Sequence, residues 1–246
     1  YEMESGTALV QDPIMRTVTF AAKVTADAFD LLDADEQDMR VQVWSQLLVG
    51  FASHPGVLRI QTLDRTVVHP SADILEYYTE QSTASGAGAN LNALADAAYR
   101  DLISRASTHT RHDMYLVVVL SVDQLKREVR GLGGGIGALM QMVHTEMDAI
   151  SADLPMAGVR VESWLSPRAL AGVIREAYDP ESIEELGERV GDRAGVAVES
   201  AGAMAASKTW DTLRTDTAHH RTYWISEWPR VKVAPGFISP LTFAGD

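Results

Sequence analysis

Apolar and polar residues alternate over residues 16–25, which puts Val18, Phe20, Ala22 and Val24 on one face, as in a half-buried strand. Asp33-Ala34-Asp35-Glu36 then offers a capping box, and behind it Val41, Trp44, Leu48 and Phe51 recur at helical spacing. They predict the buried stripe of a helix that stops near His54-Pro55-Gly56, after which residues 57–67 read as a second strand. Residues 73–108 form a helical excursion broken by the small-residue run Ser82-Thr83-Ala84-Ser85-Gly86-Ala87-Gly88. Its second half is amphipathic, with Leu91, Leu94, Ala95, Ala98 and Leu102 on one face.

A second strand-helix-strand unit follows. Met114 to Val122 is apolar on both faces and predicts a central strand. Ile136, Leu139, Met140, Val143, Met147 and Ile150 form a long helical stripe, and residues 159–165 alternate as a fourth strand. Two matched units predict an α+β fold: a ferredoxin-like, split β-α-β antiparallel sheet, with a helical insertion between strands two and three. The expected spatial order is four-one-three-two, with the helices near Asp35 and Ile136 on one face. Residues 1–165 would make this domain. Residues 166–246 would add a helix from Ser166-Pro167 to before Asp179-Pro180, an acidic segment with a short helix, and an aromatic β extension packed on the domain, with 222–228 its best strand.

Composition narrows the function classes. A chain of 246 residues is long enough for one large domain or two small ones, and 46% hydrophobic with 22% charged residues suits a folded protein. The absence of cysteine excludes a disulfide framework, a thiolate metal site and a cysteine nucleophile. A net charge of -13 opposes direct binding to duplex DNA, which needs clustered cations. No apolar run approaches the length of a membrane span, so the fragment itself is expected to be soluble. It begins at Tyr1 with no charged-then-apolar leader and reads as a piece of something longer.

The candidate chemistry is thin. Gly131-Leu132-Gly133-Gly134-Gly135-Ile136-Gly137 stands before a helix but lacks the P-loop lysine and the dinucleotide-binding spacing, so it reads as a flexible loop. The histidines show no pair at ligand spacing on one helix face; His109 and His112 could approach across a turn, and the plainer reading is solvated loop histidines. Asp211, Arg214, Asp216, His219 and Glu227 cluster in the tail, where an acid/base or metal site competes with a turn fixed by Arg214 pairing with Asp211 or Asp216. Three of the five tryptophans, Trp210, Trp224 and Trp228, lie in the same segment. Large aromatics are mostly buried, so core packing is expected of Trp224 and Trp228, with interface anchoring as the alternative. Trp210, Arg214, Asp216, Trp224 and Trp228 are thus the partner-contact candidates, and no catalytic, cofactor or metal residue is assigned.

Several segments together resemble an actinobacterial family of conjugation and type IV secretion proteins. They are Leu31-Leu32-Asp33-Ala34-Asp35-Glu36-Gln37, the stretch 60–66 with Asp64-Arg65-Thr66, and His112-Asp113-Met114-Tyr115-Leu116-Val117-Val118-Val119-Leu120. Trp164-Leu165-Ser166-Pro167-Arg168, residues 174–180, 210–216 and 223–229 continue the likeness. The soluble part is similar to the amino-terminal, non-motor region of TraC/TrbE-type secretion ATPases, in a family where a short PrgI-like membrane segment precedes such a domain. The resemblance implies a membrane-associated scaffold on the cytoplasmic face of the cell membrane, without a cofactor, working beside a RecA-like motor and other secretion subunits, with homo-oligomerisation open. It carries over no functional residues, since the motor's Walker motifs have no counterpart here. The rival is a small-molecule or nucleotide-binding enzyme domain using the glycine loop and the tail carboxylates; a nucleic-acid-binding module is disfavoured by the acidic balance.

Overall fold

Capping and alternation account for most elements in a computed structural model that describes residues 1–27, 29–54, 56–69, 75, 77–80, 82, 93–105, 109–187, 189, 193–233 and 237. The chain folds as two compact units, one of Tyr1–Asp64 with Asp113–Ala244 and the other of Arg65–His112. The division expected at 165/166 falls inside the first unit.

The fold is α+β with antiparallel sheets. Strands β1 (Val10–Asp12), β2 (Thr17–Ala26), β3 (Val57–His69), β4 (His109–Ser121) and β5 (Val159–Trp164) form one sheet in the order β1-β2-β4-β3, with β5 also on β2. Thr17 to Val24 of β2 pair antiparallel with β4, while β1 and β5 share the other edge of β2, at its beginning and its end respectively. The four longer strands therefore stand in the order expected from the sequence. Strand β1 was not foreseen, because three residues are too few to show a period.

Alternation along β2 sorts its side chains. Val18, Phe20, Ala22 and Val24 join Leu116, Val118 and Leu120 of β4 in the main core, against α1 (Ala34–Ser53) and a second helix, Gly135–Asp153. Phe20 is 1% exposed with its ring 5.5 Å from that of Trp164; burying such a side chain contributes about 1.5–3 kcal/mol. The other face is covered in part by the helix Pro167–Tyr178, whose Ala169, Leu170 and Val173 pack on Ala21, Tyr115, Val117 and Leu165. Strand β4 is apolar on both faces because both are covered.

Helix α1 begins as expected, with the Asp33 carboxylate accepting from the Glu36 amide at 2.9 Å. Its buried stripe is turned from the expected one. Leu47 is its one fully buried residue, Trp44 and Phe51 pack beside it, and Val41 and Leu48 are 44% and 40% exposed. The two stripes share Trp44 and Phe51 and differ by about one helical position, so spacing alone does not choose between them.

In the second unit, α2 (Ala93–Arg105) likewise departs from its expected face. Leu94 and Leu102 are exposed and Ile103 is buried. Asp96 accepts from Arg100 and from the Tyr78 hydroxyl, both at 2.9 Å, and Arg100 stacks 5.3 Å from the Tyr78 ring. These polar contacts to Tyr78 are ones that a hydrophobic pattern does not register. The run 83–88 lies outside the described residues.

Further along, α3 (Lys126–Gly131) precedes α4 (Gly135–Asp153), and α5 (Pro167–Tyr178) precedes α6 (Ser182–Gly187). Ser166 caps α5, accepting from the Ala169 amide at 3.2 Å, ahead of Pro167. A second, three-stranded antiparallel sheet follows: β6 (Ala206–Lys208), β7 (Leu213–Thr215) and β8 (Ala218–His220).

Candidate functional site

Helix α5 holds the tail through one arginine. Arg175, on its last full turn, pairs with Asp179 at 2.7 Å and with Asp216 at 2.9 Å, and also donates to the Gly202 carbonyl at 2.9 Å. These three side chains are only 13%, 14% and 9% exposed. Asp216 sits in the tight turn between β7 and β8 with φ at 43°, a left-handed conformation that aspartate tolerates better than most residues. From there its carboxylate accepts from the amides of Ala205 at 2.8 Å and Met204 at 3.1 Å. The Ala205 amide, helped by the Met204 amide and by Arg175, lowers the Asp216 pKa against the opposing effect of burial.

Threonines complete the attachment. Thr215, almost fully buried, donates to the Tyr178 carbonyl at 2.7 Å and bonds to His220, while Thr217 donates to Asp179. The β6-β7-β8 sheet is therefore fastened to the C-terminal end of α5 by a charged and hydroxyl network.

The sequence-derived cluster resolves differently from its expected pairing. Arg214 is exposed and pairs with neither Asp211 nor Asp216: Arg221 holds Asp211 at 3.1 Å and Arg175 holds Asp216. A cross-strand arginine and one from a helix 41 positions upstream win over the near neighbour: Asp216 lies beyond the end of β7, in the left-handed turn that brings its carboxylate to Arg175, while Arg214 stays on the exposed face of the strand. Asp211, Thr209 and Thr212 knot the β6-β7 turn. Trp210 projects from that turn, 95% exposed.

The expected strand at 222–228 is absent, and so is the expected core packing of its tryptophans. Residues 221–229 have no regular structure, Tyr223 and Trp224 are 85% and 88% exposed, and Trp228 is 57% exposed with its ring edge-on to Phe237 at 6.3 Å. Alternation of large aromatics reads as a strand only where a neighbouring strand bonds the backbone, and β8 ends at His220. Arg221, Arg230 and Lys232 interleave with these aromatics, in contrast to the acidic chain as a whole.

The glycine run, expected as a flexible loop, forms a hydrogen-bonded turn that joins the end of one helix to the start of the next. The Gly133 and Gly134 amides donate to the carbonyls of Arg130 and Val129 at 3.1 and 2.8 Å, closing α3, and Gly133 to Gly135 all have positive φ. Those two amides are occupied by capping and are not presented to a phosphate. His54 donates to Glu146 at 3.0 Å between α1 and α4, and accepts from the Gly56 amide. His219 is exposed and His220 faces Thr215, on opposite sides of β8. His112 lies near the Thr66 hydroxyl at 3.5 Å, and the His109 side chain is outside the described residues. Among the described residues no group of three ligand-type side chains is placed to hold a metal.

No family model, curated protein or solved structure matches this chain.

Arg175 and Asp179 are the site residues that sequence reasoning missed. Their signal was there in part, since an arginine and an aspartate four apart at a helix end make a favourable pair, but nothing local pointed to Asp216. Among the described residues no helix is long and apolar enough to cross a membrane.

Proposed function

We propose that this chain is a non-catalytic docking domain, in which a folded α+β body carries an aromatic segment that anchors to partner proteins. The observation that carries the reading is the exposure of Trp210, Tyr223, Trp224 and Trp228 next to a sheet fastened to α5 by Arg175. Tryptophan and tyrosine give the largest binding contribution when a partner desolvates them, and anchors held on a fixed base lose less entropy on association. The setting we propose is a conjugative type IV secretion apparatus at the cytoplasmic face of the membrane, with the RecA-like motor and membrane-anchored subunits as partners. We read the main sheet as a ferredoxin-like split β-α-β: the order β5-β2-β4-β3 and the antiparallel pairings of β2 support that reading.

The test is a binding titration of the purified chain against each secretion subunit, with nucleotide turnover followed in parallel. Saturable association with the motor or a membrane-anchored subunit, lost on removing residues 221–237, is the expected result. Nucleotide- or metal-dependent turnover by the chain alone, abolished by changing Asp216 or His219, would replace the docking reading with an enzymatic one.

A further inference from the structure

A pocket of about 360 Å³ lies between α1, the 3-10 helix Phe29–Leu31 and the part of the sheet where β2 meets β5. Val24, Phe29, Leu32, Trp44, Leu116 and Val159 supply an apolar lining. It lies where α1, with only Leu47 fully buried, packs loosely over the sheet. Apolar pockets with a few convergent polar groups are the usual form of a small-molecule site.

The polar groups at this pocket are specific. Arg160 holds one carboxylate oxygen of Asp27 at 2.9 Å, and Arg40 reaches the other at 3.4 Å, long for a charge-assisted bond. Two guanidinium groups thus share one carboxylate, and the Arg40 share is the weaker. Arg40 makes no other hydrogen bond or ion pair among the described residues. Asp64, which also lines the pocket, has an interaction of its own. Gly158 leaves room for the Arg40 guanidinium: φ there is +72°, and a Cβ at that position would fall 1.7 Å from Nη1. The positive φ favours glycine there, and the space a Cβ would take is occupied by the cation beside the pocket.

We propose that this pocket binds a small amphiphile, with its apolar body between Trp44 and the sheet and a carboxylate head on Arg40. A cavity of about 150 Å³ takes benzene, so one of about 360 Å³ takes on the order of fifteen non-hydrogen atoms. A medium-length acyl chain or a two-ring aryl carboxylate has that size. This site is separate from the aromatic tail and does not depend on the docking role.

Decanoate and decanol, both below their aggregation limits, are the probes. The intact chain is titrated by calorimetry while the five tryptophan indole N–H resonances are followed by NMR. The expected result is saturable one-to-one binding of both probes that moves the Trp44 resonance and leaves Trp210, Trp224 and Trp228 in place. Decanoate should bind about tenfold tighter, as for one added hydrogen bond to a charged group. Arg40→Gln should bring decanoate down to the level of decanol. If that variant does not fold, Arg40→Met decides, because methionine keeps an apolar stem and removes the charge: a reduced preference for decanoate supports the proposal and an unchanged one overturns it. The proposal is also overturned by the absence of saturable binding, by equal affinities for the two probes, or by shifts confined to the tail tryptophans.

Discussion

Alanine at Gly195 should be far more damaging than alanine at Gly172, although the two glycines touch each other. Gly195 has φ +70°, and a Cβ there would stand 2.1 Å from the Arg168 carbonyl oxygen and 2.5 Å from its carbon. The left-handed conformation costs an alanine about 1–2 kcal/mol. The clash is with the backbone of α5, so no rotamer relieves it and the loop must lift. Lifting breaks the 3.2 Å bond from the Val196 amide to Arg168 and uncovers Val196, which is 7% exposed. The bond contributes about 1 kcal/mol and the valine about 1.5 kcal/mol. With partial relaxation, Gly195→Ala should cost about 3 kcal/mol. Gly172 lies within α5, and its added Cβ would be 3.1 Å from the Gly195 Cα, a contact relieved by a few tenths of an ångström. Helix propensity returns about 0.8–1 kcal/mol, so Gly172→Ala should stay within about 1 kcal/mol of the parent. Urea unfolding of the three proteins, read as midpoint shifts at constant slope, is the assay. A Gly195→Ala protein as stable as the parent, or a Gly172→Ala protein equally damaged, would refute the seating of this loop on α5.

The acid response of the tail follows from Asp216. Because its pKa is lowered on folding, its stabilisation is present above the unfolded value, about 4, and is lost as pH falls through the lower folded value. Hydrogen exchange at the Met204 and Ala205 amides should therefore show no titration of this carboxylate between neutrality and about pH 4, then quicken below it, and Asp216→Asn should remove that acid limb. Arg175→Gln should loosen β6-β7-β8 in the same exchange measurement at neutral pH while leaving the protection of β2 and β4 unchanged. Ser166→Ala should lower unfolding free energy by about 1 kcal/mol, the usual cost of losing a serine cap. Titration with ATP should give no saturable amide shifts at Gly133 or Gly134, and specific shifts there would reopen the nucleotide-binding alternative.

Sequence patterns served best where one physical effect acts alone. The caps at Asp33 and Ser166 and the double-sided apolar run of β4 were legible because each follows from local bonding or burial. The faces of α1 and α2 were not: Trp44 and Phe51 belong to two overlapping stripes, and α2 meets Tyr78 through Asp96 and Arg100, polar contacts that carry no hydrophobic period. The helix-closing role of the glycine run was not legible because three positive-φ glycines can close a helix as well as loosen a chain. In the tail, local proximity suggested Arg214 for Asp216, and the partner actually used, Arg175, comes from a helix far away in sequence. Exposure of Trp224 and Trp228 was not readable from composition, since the same residues would have been core had a strand paired with them.

The central claim is that the tail tryptophans are anchors and not core. Trp224→Ala and Trp228→Ala, each measured for thermal unfolding and for affinity toward whichever of the proposed partners binds the parent chain, test it most directly. The account predicts unchanged unfolding, because Trp224 is 88% exposed, together with association weakened by about 2 kcal/mol, as for a hot-spot residue. A loss of about 3 kcal/mol or more in stability, as for a core aromatic, or unaltered affinity for every subunit, would contradict it.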